Sequence, residues 1–446
     1  MLPALTARIA SSCRRGSPHS RFSRMSSSLF RQLQHTVNAA HTREYPGATV
    51  GGDDDRPLLS VKQYVPLDNP DPQPGDVTII GAHANGFSKE LYEPLWDEIY
   101  QLLGQRGVRV RSVWIADMWN QGQSGVLNEK MLGNDRNPPA SSDESSLADL
   151  IAASWFDHAR DLMSLINQKL DDIRHPIVGI GHSMGATQLS LLSLSHPRLL
   201  DALVLIDPVI QLGDGSKSPA ILSTKRRDIW PSKEAATAKF KESEFYKSWD
   251  ERVLERWIEY GLRPLPTELH PAQGQDDERV TLTTTKHQEL FTFLRPTYLG
   301  KPTPDLDPDQ AKEMTKYPFY RPEPAYVYKH LPNLRPSTLY VFGEHSDMST
   351  PELREEKMAL TGTGVGGSGG QVEGRVQQIT LGCGHLVPME KVEECALAIT
   401  DFLDDELARQ RREGLARQED LANKSRAEQI QIDERWARWL KPDEKL

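Results

Sequence analysis

The chain has 446 residues, 37% of them hydrophobic and 26% charged, with a formal net charge of −10. That length fits one large domain with an insertion, or two ordinary domains, and the modest apolar share points to polar extensions around a normal core. The negative balance and the lack of a basic stripe interleaved with aromatics argue against a nucleic-acid surface; no run reaches the roughly 18 apolar residues of a spanning helix.

Residues 1–43 carry seven arginines and no Asp or Glu, among many serines. This is the composition of a mitochondrial transit peptide, or of a disordered tail upstream of a start at Met25. At the other end, Glu444-Lys445-Leu446 shares only its last two positions with a peroxisomal S-K-L terminus. Cys13, Cys383 and Cys395 are too few for a disulfide framework and have no zinc-ligand spacing, so a reducing, cytoplasm-like compartment is the third option.

From Val77 onward, strand and helix signals alternate. Val77 to Ile80 predicts a strand, 88–103 a helix with Leu91, Leu95, Ile99, Leu102 and Leu103 on one face, and Val108 to Ile115 a strand. Helix returns at 154–170, strand at Ile177 to Ile180, helix at 184–196 and strand at Leu203 to Ile206. Such alternation predicts an α/β fold with a mostly parallel central sheet flanked by helices. The rhythm breaks after Pro208. Trp230, Trp249, Trp257 and many prolines mark an inserted, mainly helical cap over 214–330. Leu339 to Phe342 and Val376 to Leu381 resume the sheet. The division is then a leader at 1–43, core at 58–213, cap at 214–330, core at 331–403 and a charged helical extension at 404–446. The glycine-rich stretch Thr361 to Gly370 reads as a flexible surface loop. It lacks the Gly-Lys-Ser/Thr ending of a phosphate cradle.

The chemistry centres on Gly181-His182-Ser183-Met184-Gly185, between a predicted strand and a predicted helix. A serine hydroxyl is a poor nucleophile unless a sharp strand-to-helix turn exposes it, and that turn demands small residues on both sides. Ser183 is therefore the candidate nucleophile. Its candidate base is His385, in Gly382-Cys383-Gly384-His385, just after the last predicted strand; His182, His287 and His345 are placed less well. Asp347, on the turn after the strand at 339–342, is the first choice for the acid that orients the imidazole. Asp207 and Glu344 remain alternatives. Oxyanion donors are expected from the backbone N–H of Met184 and from the turn Gly81 to Phe87, with Asn85 favoured. Asp117 to Ser124 reads as a structural turn, and Thr281 to Glu289 as a cap segment facing the substrate or as a plain hairpin.

With these motifs in place, the chain resembles the α/β-hydrolase superfamily over about 58–403. More narrowly, His83-Ala84-Asn85-Gly86-Phe87, Trp257 to Arg263 and Thr281 to Glu289 resemble fungal toxin-biosynthesis hydrolases and related peroxisomal lipases. The resemblance implies the α/β-hydrolase fold and hydrolysis of an ester of a lipophilic carboxylic acid, in fungal peroxisomes; the residues themselves point to a serine hydrolase in which Ser183 attacks an ester or thioester carbonyl of a small lipophilic substrate, a mechanism that calls for no metal and no organic cofactor. An acyltransferase using the same residues, or a non-catalytic ligand-binding homologue, are the competing readings. Oligomeric state is left open.

Overall fold

Branched apolar runs separated by helical stretches become alternating strands and helices in this computed structural model, which describes residues 23–24, 29–133, 153–212, 217–274, 277–296 and 319–440. The first strands are β1 (Ser23–Arg24), β2 (Phe30–Asn38), β3 (Leu58–Pro66), β4 (Val77–Ala82), β5 (Val110–Ala116), β6 (Ile177–His182) and β7 (Ala202–Ile206). Short strands follow in the insertion: β8 (Ile229–Trp230), β9 (Leu262–Pro264), β10 (Val280–Leu282), β11 (Arg295–Pro296) and β12 (Phe319–Tyr320). The last two are β13 (Ser337–Gly343) and β14 (Val376–Leu381). One nine-stranded sheet runs in the order β1-β2-β3-β5-β4-β6-β7-β13-β14. From β5 to β14 neighbouring strands are parallel, while β3 is antiparallel to both β5 and β2.

Every residue of β4, β6 and β7 is buried, because helices cover both faces of the sheet. The two-residue period of a strand sorts the side chains into two cores. Ile79, Val178, Ile180, Val204 and Ile206 pack against Leu95 and Ile99 of α1 (Glu93–Gln105) and against Ile399, Phe402 and Leu403 of the helix Val392–Ala422. After the short α2 (Gly122–Leu127) come α3 (Trp155–Gln168) and α4 (Met184–Ser195). Ile80, Ile177, Leu203 and Leu205 pack on that side, against Leu162 and Leu165 of α3 and Leu189 and Leu192 of α4.

Three boundaries move. Residues 30–38 fall in the stretch expected as a leader, yet they form β2, paired along its length with β3. Phe30, Gln32 and Val37 are buried there, and Arg43 is buried against Asp161 at 2.8 Å. Residues 1–22, 25–28 and 441–446, which carry Cys13, Met25 and the terminal tripeptide, lie outside the described residues. The helix Pro322–His330, expected at the end of the cap, packs instead on α4, with Val327 and Leu331 in the core. Its Glu323 accepts from Ser154 Oγ and the Trp155 N–H, both at 2.8 Å, which ties it to the start of α3. Finally, the helix Val392–Ala422 crosses the boundary at 404 without a break, and Glu406 and Leu407 are still buried.

The cap is mainly helical, with a small β8-β10-β9 sheet. Phe240, Tyr246, Trp249 and Trp257 form its centre with Trp230, with neighbouring ring centroids between 5.0 and 6.3 Å apart. The glycine-rich stretch after Thr361 is held down by backbone bonds to Leu331, Pro332 and Leu334, so it is a built turn and not a loose loop. Trp436 and Trp439 are 55% and 83% exposed, as a solvated terminal helix requires.

Candidate active site

Ser183 sits between β6 and α4 with φ 56° and ψ −116°, a conformation that L-residues rarely adopt. Its surroundings enforce it. The Ser183 N–H donates to Ile206 O on β7 at 2.9 Å. A Cβ on Gly181 would lie 2.7 Å from Ala186 N, and one on Gly185 would lie 2.2 Å from Ala82 O. Only glycine fits on either side, so the motif spacing is a packing requirement of the turn.

His385 lies on the loop after β14. Its Nε2 is 2.8 Å from Ser183 Oγ, and its Nδ1 is 2.5 Å from Oδ2 of Asp207. The structure therefore places Asp207, and not Asp347 or Glu344, on the imidazole; Asp347 and Glu344 are both exposed. The reason is topological. β7 and β13 are neighbours in the sheet, so the loops at both carboxyl ends open toward the loop that carries His385. Asp207 ends β7 with φ 39°, its N–H bonded to Val341 O at 2.8 Å, and is completely buried. The turn expected to supply the acid supplies donors to it instead: Ser346 Oγ, Ser349 Oγ and the Gly343 N–H. Burial works to push the Asp207 carboxyl up, but the bonds from His385, Ser346 and Ser349 outweigh it and hold the group below the ordinary carboxylate range.

A second chain of hydrogen bonds, not foreseen from the sequence, links the two halves of the site. The Ala84 N–H donates to Tyr92 Oη at 2.8 Å, and Tyr92 Oη lies 3.0 Å from His182 Nδ1. His182 Nε2 then lies 3.0 Å from the carbonyl oxygen of His385. Burial, assisted by the charge of His385, lowers His182 to about 3, so it stays neutral and its ring ties down the loop that carries His385. Tyr92→Phe leaves the Ala84 N–H and His182 Nδ1 buried without partners. We expect a loss of about 2 kcal/mol in urea unfolding; an unchanged midpoint would remove the relay from the account.

Around Asn85, Ala84 spends its N–H on Tyr92, Gly86 on Gln121 Oε1 and Phe87 on Ala84 O. The Asn85 N–H makes no hydrogen bond among the described residues. Its side chain is engaged with Glu289 O at 2.9 Å and Gln121 Nε2 at 2.6 Å. As the first residue of α4, Met184 has no intrahelical acceptor for its N–H. Thr284 Oγ1 accepts from the Gly122 N–H, so the segment 281–289 docks the cap on the core and is not a free hairpin. Asp117 is buried against Lys89 Nζ at 2.6 Å and caps the Gln123 N–H, a structural role. Cys383 and Cys395 are free and buried. Among the described residues, no group of three or more His, Cys, Asp or Glu is arranged to hold a metal ion, and no helix is long and apolar enough to cross a membrane.

The sequence model of the Alpha/beta hydrolase family matches residues 79–398. The chain belongs to the alpha/beta hydrolase family. Among its relatives is mpaH' of Penicillium brevicompactum, a type I acyl-CoA thioesterase, 35% identical over 94% of this chain and 97% of that protein. The abhydrolase domain-containing protein ACTT2-1 of Alternaria alternata is 28% identical over 52% of this chain and 84% of its own length. The peroxisomal alpha-beta-hydrolase Lpx1 of Saccharomyces cerevisiae shares the fold, with a TM-score of 0.60 at 17% identity over 93% of this chain and 96% of that one. In this alpha/beta hydrolase the elbow at Ser183, Asp207, the loop that carries His385 and the turn Gly81 to Phe87 lie at the carboxyl ends of β6, β7, β14 and β4.

Proposed function

We propose that this alpha/beta hydrolase is a serine-dependent acyl-thioester hydrolase, with Ser183 as nucleophile, His385 as general base and Asp207 as the acid that orients it. The observation that carries this reading is the continuous line from Ser183 Oγ through His385 to Asp207, at 2.8 and 2.5 Å. His385 Nε2 takes the proton as Ser183 Oγ attacks the carbonyl carbon. The resulting oxyanion is received by the N–H groups of Met184 and Asn85, and removing one such donor costs about 3 kcal/mol in the transition state. Collapse expels the thiolate, which takes the proton back from His385. Water, deprotonated by the same histidine, then releases the acid and regenerates the serine.

A thioester is favoured by the similarity to an acyl-CoA thioesterase along nearly the whole of both chains. A lipophilic acyl group is favoured by Phe87, two residues after Asn85, whose ring meets Trp249 and Trp257 at 5.6 and 6.1 Å. The test is thiol release from a series of acyl-CoA esters of rising chain length, beside nitrophenyl esters of the same acids. We expect kcat/KM to be highest for medium or long acyl thioesters. Cleavage of the nitrophenyl esters with none of the thioesters would remove the thioester assignment and leave the serine chemistry standing.

A further inference from the structure

Asp207 collects more donors than are needed to hold one imidazole. Oδ2 accepts from His385 Nδ1 and from Ser346 Oγ, both at 2.5 Å. Oδ1 accepts from Ser349 Oγ at 2.5 Å and from the Gly343 N–H at 3.0 Å. Apart from His385, all of these come from one turn, 343–349, and both serines are buried. The turn is itself gripped from the helix Pro351–Leu360. Arg354 Nε donates to Ser349 O at 2.5 Å and Arg354 Nη2 to Glu344 O at 2.9 Å. Lys357, three residues on and so on the same side of that helix, donates to Met348 O at 3.4 Å. The carbonyls of the turn thus face two cations, while its hydroxyls face the carboxylate.

We infer that the 343–349 turn is a positioning cradle for Asp207, in which Ser346 and Ser349 fix the rotation of the carboxylate and share its charge with His385. The inference rests on the reading of Asp207 as the orienting acid. The sharing matters because a carboxylate that spends its whole charge on the imidazole stabilises the imidazolium and keeps the base protonated to higher pH. Two hydroxyls drawing on the same oxygens moderate that effect. Other groups bear on the pair. His182 faces the base but stays neutral, and Glu390 faces it from the segment that follows. Lys357 and Cys383 bear on Asp207; burial lowers Lys357 to about 8 and raises Cys383 to about 12, so the cysteine does not titrate near neutrality.

The test uses Ser346→Ala, Ser349→Ala and the corresponding threonine variants in the full chain, with kcat and KM measured against pH. In the alanine variants the acidic limb of kcat/KM is expected to move to higher pH by about half a unit. At the plateau, kcat should fall by roughly tenfold with KM unchanged. Threonine retains the hydroxyl and should restore the limb, which a merely structural contribution to folding would not do. A wild-type limb in both alanine variants, or the same shift in the threonine variants as in the alanine ones, would overturn the cradle. Fluorophosphonate labelling of the wild type reads the underlying assignment separately: absence of label on Ser183 would sink the serine reading and the cradle with it.

Discussion

Ser183→Ala is expected to lower kcat by about a million-fold while leaving the fold intact. The residue occupies φ 56°, and that strain is imposed by the two glycines and the bond to Ile206 O, none of which depends on the hydroxyl. Alanine therefore carries the same backbone cost as serine. What disappears is the atom that the proposed mechanism acylates, together with the partner of His385 Nε2. On the proposed mechanism a residual rate above that of water is expected, since the Met184 and Asn85 N–H groups would still receive an oxyanion generated by direct attack of water. The measurement pairs thiol release from acyl-CoA with fluorophosphonate labelling and a thermal melt. Loss of both signals at an unchanged melting temperature assigns the nucleophile. Undiminished hydrolysis by the alanine variant would overturn the mechanism, whatever the geometry of the site.

What the sequence made legible follows from which constraints are local. β4, β6 and β7 were visible because strands buried on both faces must be continuous apolar runs. The elbow was visible because its glycines flank the serine at fixed spacing, Gly181 against the backbone of Gly185 and Ala186 and Gly185 against the end of β4 at Ala82. The acid was not, since the choice between Asp207 and Asp347 depends on how the ends of two adjacent strands face a loop that comes much later in the chain. Both loops carry a carboxylate, and chain order does not say which one is buried. β2 was hidden for a similar reason: its partner β3 begins at Leu58, beyond a connection with two short helical turns, and its own residues are mostly polar. Tyr92 belongs to no motif, and its part in the relay exists only once Ala84 and His182 have been brought together by the sheet.

Asp207→Asn and Asp347→Asn together decide the acid, and we expect them to separate by about a thousand-fold or more in kcat. Asp347 is exposed and makes no hydrogen bond to His385, so its amide variant should stay within about twofold of wild type, the range of an ordinary surface change. At 207 the amide is disruptive for a specific reason. Its NH2 group faces either His385 Nδ1 and Ser346 Oγ, or Ser349 Oγ and the Gly343 N–H, itself a donor. Donation to Nδ1 selects the tautomer with the proton on Nε2, which cannot accept from Ser183 Oγ. The pH profile adds a second discriminator. A carboxylate at 207 stabilises the imidazolium, so its removal should move the acidic limb of the residual kcat/KM to lower pH, opposite to the shift expected for the serine variants of the cradle. Two changes at one carboxylate with opposite signs would be hard to reconcile with general loosening of the site. Near-normal turnover in Asp207→Asn with an inactive Asp347→Asn would return the acid to the turn after β13, and would mean that the buried bond between Asp207 and His385 is structural.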